Sequence, residues 1–189
     1  RSKDDLYDLD FYQKPDYFKE EYSKFIWRPF QLGFFLLTAE STANENHAAR
    51  DTIDLIWYPT GGGKTEAYLF LIAFEIIYRR LSNLEDGGVV AIMRYSLRLL
   101  TQDQFSRAAS LICSLEKIRR DMAPDLGNKE ISLGLWAGGD LTPNNCADAF
   151  EGQSNKPNTG YQRLLELEQP TNPFTLMHCP WCRTKIVPD

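Results

Sequence analysis

Residues 53–66 read IDLIWYPTGGGKTE, an apolar run that leads directly into three glycines and a Lys-Thr pair. Consecutive glycines let the backbone turn so that its N–H groups point at phosphate oxygens, and the start of a following helix also favours an anion. Lys64 can reach the β- and γ-phosphates of a nucleotide, and the hydroxyl of Thr65 can coordinate Mg²⁺. The stretch therefore predicts a P-loop that binds ATP and Mg²⁺, with Lys64 and Thr65 as its catalytic residues.

One position of this loop departs from the usual pattern, which opens with glycine or alanine where this chain has Tyr58. Two alternatives therefore stay open, a chance glycine-rich turn and a non-catalytic scaffold that keeps a relic P-loop. An expected strand before the loop and an expected helix after it supply the context that the motif requires. We accordingly expect the nucleotide to contact a continuous run of residues: Thr60, Gly61, Gly62, Gly63, Lys64, Thr65 and Glu66.

Outward from the loop, short apolar runs alternate with longer amphipathic ones. The short runs are predicted as buried strands, and the longer runs, together with a segment that begins near Pro29, as helices. In chain order the predictions are strand Ile53–Tyr58, helix Lys64–Leu81, strand Val89–Met93, helix Leu97–Arg120 and strand Ile131–Trp136. This order is typical of an α/β fold with a parallel sheet.

The bulk composition is that of an ordinary globular protein, with 43% hydrophobic and 25% charged residues among 189. No signal peptide and no long apolar span is present, so we expect a cytoplasmic protein without a membrane segment. The first residue is arginine, which suggests a fragment of a longer protein. The net charge of −5 argues against a coat of nucleic acid, but residues 88–120 form one basic stretch. Its alternative interpretation is a solvated helix face.

The octapeptide at residues 59–66 resembles motif I of the superfamily 2 helicases. Upstream, Arg28-Pro29-Phe30-Gln31 resembles the element that precedes motif I in many of these enzymes, where a glutamine reads the adenine edge. An amide can pair with both a donor and an acceptor on adenine. The resemblance implies a partial RecA-like P-loop NTPase domain in which Gln31 contacts the base of ATP.

The same resemblance places residues 93–104 at motif Ia, which in the family lies against the nucleic-acid backbone. Contacts with backbone phosphates contribute affinity that does not depend on the base sequence of the nucleic acid. A pair of glycines at the end of the third predicted strand matches a glycine pair in these helicases, although a simple turn is the alternative. The implied DNA-binding residues are Arg94, Arg98, Thr101, Gln102, Gly138 and Gly139.

Three sequence blocks are similar to the large helicase subunit of the DISARM antiphage system, the DrmA family. These blocks are residues 57–68, residues 93–101 and Leu135-Trp136 with the following Thr-Pro-Asn at 142–144, and the resemblance covers residues 28 to about 182. It implies a prokaryotic defence protein that acts on phage DNA together with a partner subunit. The domain prediction is a lead-in at 1–27, a partial RecA-like domain at 28–150 and a loop-rich insertion at 151–189.

Cys179 and Cys182 form half of a zinc site, since zinc in proteins takes four ligands, typically from two such pairs. The family resemblance implies the start of a zinc-ribbon-like insertion whose second pair lies outside this chain. His178 is a further candidate ligand, but it sits too close to Cys179 for a natural knuckle. Cys113 falls on the long predicted helix, where buried packing is the expected role.

The acidic pair that holds Mg²⁺ and orients water in this superfamily is not found after residue 140. We therefore expect this chain to bind nucleotide without turning it over. Three functional hypotheses remain: part of an ATP-dependent DNA helicase or translocase, another P-loop NTPase such as a transporter or switch ATPase, and the non-catalytic scaffold.

Overall fold

A computed structural model of the chain describes residues 18–20, 26–95, 98–136, 143, 145–152, 160–166, 176 and 178–181. The chain divides into two units. One unit comprises Ser2–Arg94 with Leu115–Ile131, and the other comprises Tyr95–Ser114 with Ser132–Asp189 and Arg1.

Helices account for the regular secondary structure of the described residues. They are α1 Pro29–Ala43, α2 Lys64–Ser82, α3 Arg98–Asp121, α4 Ala123–Leu126, α5 Cys146–Glu151 and α6 Tyr161–Glu166. The three longest confirm the helices predicted at Pro29, at Lys64 and on the basic stretch. Among the described residues, no helix combines the length and the apolarity needed to cross a bilayer.

The predicted parallel sheet, and with it the partial RecA-like α/β fold, is wrong for this structure. None of the described residues lies in a β-strand, and the three runs predicted as strands are irregular. Trp57 is 90% exposed and Trp136 is 98% exposed, whereas a strand of a parallel sheet is covered on both faces. The physical reason is that a strand needs a neighbour to pair its N–H and C=O groups, which an apolar run does not supply by itself.

Two devices fix the start of α1. The ring of the proline at the first helical position fixes φ at a helical value. Proline has no backbone N–H, but an N–H at this position would have no partner inside the helix. The backbone N–H of Arg28 donates to Oε1 of Gln31 at 2.8 Å, so the side chain of the third helical residue closes the first turn. These bonds hold residues 28–31 in one defined conformation.

Aromatic side chains join α1 to α2. Phe70, Phe74 and Tyr78 recur every four residues and therefore lie on one face of α2. The ring of Phe35 on α1 stacks on Phe70 with centroids 4.3 Å apart and meets Phe74 edge-on at 5.2 Å. Trp27 adds a further contact with Phe70, at 4.7 Å. The two helices consequently form one packed hairpin, with the 44–63 connection between them.

The C-terminal end of α3 is tied down by a charged cluster. The carboxylate of Glu116 accepts hydrogen bonds from Nε and Nη2 of Arg119 at 2.8 and 2.7 Å and from Nε of Arg120 at 2.9 Å. The same carboxylate accepts the backbone N–H of Ile131 at 2.9 Å, and Arg119 donates to the carbonyl of Gly127 at 2.8 Å. These bonds hold the pKa of Glu116 down at about 2, with the Arg119 side chain as the main cause.

In the other unit, α5 and α6 pack as a short pair. The side chain of Asn145 caps α5 by accepting the N–H of Asp148 at 2.8 Å. The rings of Phe150 and Tyr161 stack with centroids 6.2 Å apart. Helix α6 thus lies within the segment that the sequence predicts to be loop-rich.

Candidate phosphate-binding site

The predicted P-loop forms a tight turn immediately before α2. The N–H of Gly62 donates to the carbonyl of Pro59 at 3.1 Å and closes the turn. Gly61 and Gly63 have φ angles of 77° and 92°, in the left-handed region that side chains disfavour. The backbone conformation therefore favours glycine at both positions.

Tyr58, the residue that departs from the usual pattern, packs directly against the loop. Its ring stacks on Phe30 with centroids 3.9 Å apart and an interplanar angle of 16°. A Cβ atom added to Gly62 would lie 2.4 Å from Cδ1 of Tyr58 and 2.9 Å from the carbonyl oxygen of Pro59. Gly62 is thus required by close packing, and Tyr58 supports the loop from one side.

The first turn of α1 holds two carbonyls of the loop. Nη1 of Arg28 donates to the carbonyl of Gly62 at 2.9 Å, and Nε2 of Gln31 donates to the carbonyl of Gly63 at 2.8 Å. Gln31 is 5% exposed, and its Oε1 accepts the N–H of Arg28. Sequence reasoning missed the contact of Arg28. The signal that could have found it is its place at the N-cap of the helix that carries Gln31.

These contacts determine where the N–H groups of the loop point. In a trans peptide the N–H of one residue lies opposite the carbonyl of the residue before it, and no peptide bond of the described residues is cis. Because the carbonyls of Gly62 and Gly63 face Arg28 and Gln31, the N–H groups of Gly63 and Lys64 face away from α1. They add to the first-turn N–H groups of α2, which have no partner inside that helix. The arrangement is suited to an anion.

The two side chains expected to act on phosphate lie at the start of α2. The ammonium of Lys64 donates to the carbonyls of Tyr58 and Pro59 at 2.6 and 3.1 Å, on the exposed side of the loop. The hydroxyl of Thr65 accepts from the hydroxyl of Tyr68 at 3.2 Å. A hydroxyl has two lone pairs, so Thr65 keeps one for a hard cation. Both residues therefore fit the roles that the motif predicts for ATP and Mg²⁺.

The other predicted nucleotide contacts lie around the same loop. Thr60 is exposed at its tip and Glu66 is half-buried in the first turn of α2. An acidic residue in that turn interacts favourably with the positive end of the helix. The structure therefore brings residues 60–66 and Gln31 together, and their contacts with nucleotide stay predictions.

The predicted DNA contacts are only partly described. Arg94 is exposed in a segment without regular secondary structure. Arg98, Thr101 and Gln102 lie in α3, but their side chains are outside the described part of the chain, as are Gly138 and Gly139 entirely. The DNA-binding role of these residues stays a prediction.

Three cations of the basic stretch have acidic partners on α3 itself. Lys117 pairs with Asp121 at 2.5 Å, and Arg119 and Arg120 pair with Glu116. Each of these pairs lies within α3. For this part of the basic stretch, the pairs agree with the alternative interpretation as a solvated helix face. The three cations are therefore poorer candidates for nucleic-acid contacts than the exposed Arg94.

The thiol of Cys179 lies near that of Cys113. The hydroxyl of Ser110, one turn before Cys113 on α3, donates to the carbonyl of Pro180 at 3.1 Å. Burial raises the pKa of the Cys113 thiol, and the charge of Cys179 raises it further. Cys182 is outside the described residues, which contain no group of three or more side chains placed to hold a metal. The zinc site stays a prediction.

The chain is similar to a curated bacterial protein, DISARM protein DrmA of Bacillus paralicheniformis, with 38% identity over 169 residues. The aligned residues make up 84% of this chain and 14% of that relative, so the chain spans a small part of the relative's length. No protein-family model and no solved structure matches the chain. The DrmA-like relationship predicted from the sequence blocks is confirmed, whereas the helicase assignment stays a prediction.

Proposed function

We propose that this chain is the nucleotide-binding part of an ATP-dependent DNA helicase or translocase that works in DISARM-type defence against phage. The observation that carries the proposal is the loop at 59–63, whose N–H groups face away from α1 at the positive end of the 19-residue helix α2. A loop of this kind has the backbone donors, the lysine and the hydroxyl that a Mg²⁺-bound triphosphate requires.

Each residue of the site has a distinct role in this proposal. The N–H groups of Gly63 and Lys64 bind phosphate oxygens, and the hydroxyl of Thr65 would hold Mg²⁺. When bound, Mg²⁺ would supply positive charge that offsets the charge of the phosphates. The ammonium of Lys64 leaves the carbonyls of Tyr58 and Pro59 and binds the β- and γ-phosphates instead, an exchange favoured because phosphate carries a full charge.

The similarity to DrmA supports the biological part of the proposal. That relative is named as a DISARM protein, and the similarity extends over 84% of this chain. DNA and a partner subunit are the proposed macromolecular partners. Arg94 is the proposed contact with a phosphate of DNA whose side chain the structure describes, and it is exposed.

Titration with a fluorescent ATP analogue in the presence of Mg²⁺ tests the proposal. We expect Lys64→Ala to weaken binding about tenfold or more, since a charge-assisted contact to phosphate is lost. Lys117→Ala is the matched control, because Lys117 is exposed and pairs with Asp121 on its own helix. Equal affinity of the wild-type chain and Lys64→Ala, or no binding by either, would show that the loop is a relic.

A further inference from the structure

The amide of Gln31 is occupied at both ends by the protein itself. Its Nε2 donates to the carbonyl of Gly63 at 2.8 Å, and its Oε1 accepts the N–H of Arg28 at 2.8 Å. At 5% exposure the side chain lies beneath the loop. A glutamine that reads adenine needs the same donor and the same acceptor for the base, because adenine is recognised by one bond of each kind.

Gln31 also fits its place closely. A Cβ atom added to Gly63 would lie 2.7 Å from Nε2 of Gln31, so the amide is in direct contact with the loop backbone. Arg28 makes the corresponding bond to the preceding carbonyl, that of Gly62. The first turn of α1 therefore holds two consecutive peptide planes of the loop, and these planes orient the N–H groups proposed to bind phosphate.

We propose that Gln31, with Arg28, is a positioning residue for the phosphate loop and does not read the nucleotide base. This inference rests on the proposed binding of phosphate at residues 59–65. The site then selects for polyphosphate with Mg²⁺, and the side chain of Gln31 contributes equally to the binding of adenine nucleotides, guanine nucleotides and polyphosphate without a base.

Calorimetric titration with three ligands separates the two roles. The ligands are ATP, GTP and inorganic tripolyphosphate, each with Mg²⁺. Gln31→Glu is the informative variant, since its carboxylate still accepts the N–H of Arg28 but has no donor for the carbonyl of Gly63. Loss of one hydrogen bond predicts that its affinity falls about three- to tenfold for all three ligands alike. Gln162→Glu, at an exposed glutamine on α6, is the control for the change of charge.

Arg28 gives a second arm that does not depend on a buried side chain. Arg28→Ala keeps the backbone N–H that Gln31 accepts and removes only the bond to Gly62. We expect the same loss for all three ligands, and a smaller loss for Arg28→Lys, which keeps a donor. Destabilisation of the fold alone would not make Arg28→Ala lose more affinity than Arg28→Lys, because titration well below the unfolding temperature measures the folded protein.

Three results would overturn the inference. A loss of ATP affinity in Gln31→Glu with unchanged tripolyphosphate affinity would show that Gln31 reads the base. Unchanged affinity for every ligand in both the Gln31 and the Arg28 variants would show that the loop needs no support from α1. If the wild-type chain binds none of the three ligands, the proposed function fails, and the inference fails with it.

Discussion

Replacement of Glu116 by glutamine tests the charged cluster at the end of α3. The substitution removes the anion that receives Arg119 and Arg120 and weakens the bond to the N–H of Ile131. Arg119 is the residue most affected, because its side chain is 8% exposed and the acceptors that remain, the carbonyl of Gly127 and the amide oxygen of the new glutamine, are uncharged. The pKa of Glu116 falls from 4.5 to about 2 on folding, and each pKa unit corresponds to about 1.4 kcal/mol, so loss of the carboxylate costs about 3 kcal/mol.

The pH dependence of this effect follows from the pKa of Glu116. The pKa is about 2 in the folded chain against an ordinary value of 4.5, so the carboxylate is stabilised by folding. Its contribution is fully present above pH 4.5 and is lost as the pH falls towards 2. The difference in unfolding free energy between wild type and Glu116→Gln should therefore be largest at pH 7 and shrink steadily below pH 4.5.

Urea denaturation followed by circular dichroism at pH 7 and pH 3 measures this difference. Asp121→Asn is the matched control, because it breaks the exposed pair with Lys117 on the same helix and should cost less than about 0.5 kcal/mol. A loss of less than about 1 kcal/mol at pH 7 for Glu116→Gln would refute the reasoning, since a buried charge left without a partner costs more than that. So would a loss of equal size at both pH values.

Three further predictions concern α2 and the loop that precedes it. Gly63→Ala should cost about 1–2 kcal/mol, measured by thermal unfolding, and weaken triphosphate binding, because residue 63 has a φ of 92° and the new methyl group would meet Gln31. Glu75→Met should stabilise the chain by about 1 kcal/mol at neutral pH in urea denaturation, because one buried oxygen of Glu75 has no hydrogen-bond partner among the described residues. Burial raises the pKa of Glu75 above its ordinary value of 4.5, so the carboxyl is protonated and uncharged below pH 4.5, and the gain in stability should disappear there. A gain that persists below pH 4.5 would count against burial as the cause. The chain alone should release no phosphate from ATP, and a release that Lys64→Ala abolishes would contradict this expectation.

Features set by neighbouring residues were predictable from the sequence. The start of α1 follows from the proline at position 29, and the start of α2 follows from the glycine-rich turn before Lys64, since both signals act within one turn of helix. The loop conformation follows in the same way from three consecutive glycines. The long amphipathic pattern of α3 is equally local.

Features that depend on distant residues were not predictable in this way. The run at 53–58 has the composition of a buried strand, but strand formation depends on a partner that composition does not specify. The bond between Arg28 and Gly62 spans 34 residues, and the resemblance to helicases assigns a role to Gln31 alone. The closeness of Cys179 to Cys113 likewise depends on how the chain folds back onto α3.

Nuclear magnetic resonance of backbone amides tests the phosphate site most directly. Tripolyphosphate with Mg²⁺ is added to the ¹⁵N-labelled chain, and the amide resonances are followed through the titration. We predict that the N–H resonances of Gly63, Lys64 and Thr65 shift together and saturate, while those of α5 and α6 stay in place. Saturable binding that leaves the loop resonances unchanged would contradict the assignment of the site to residues 59–65.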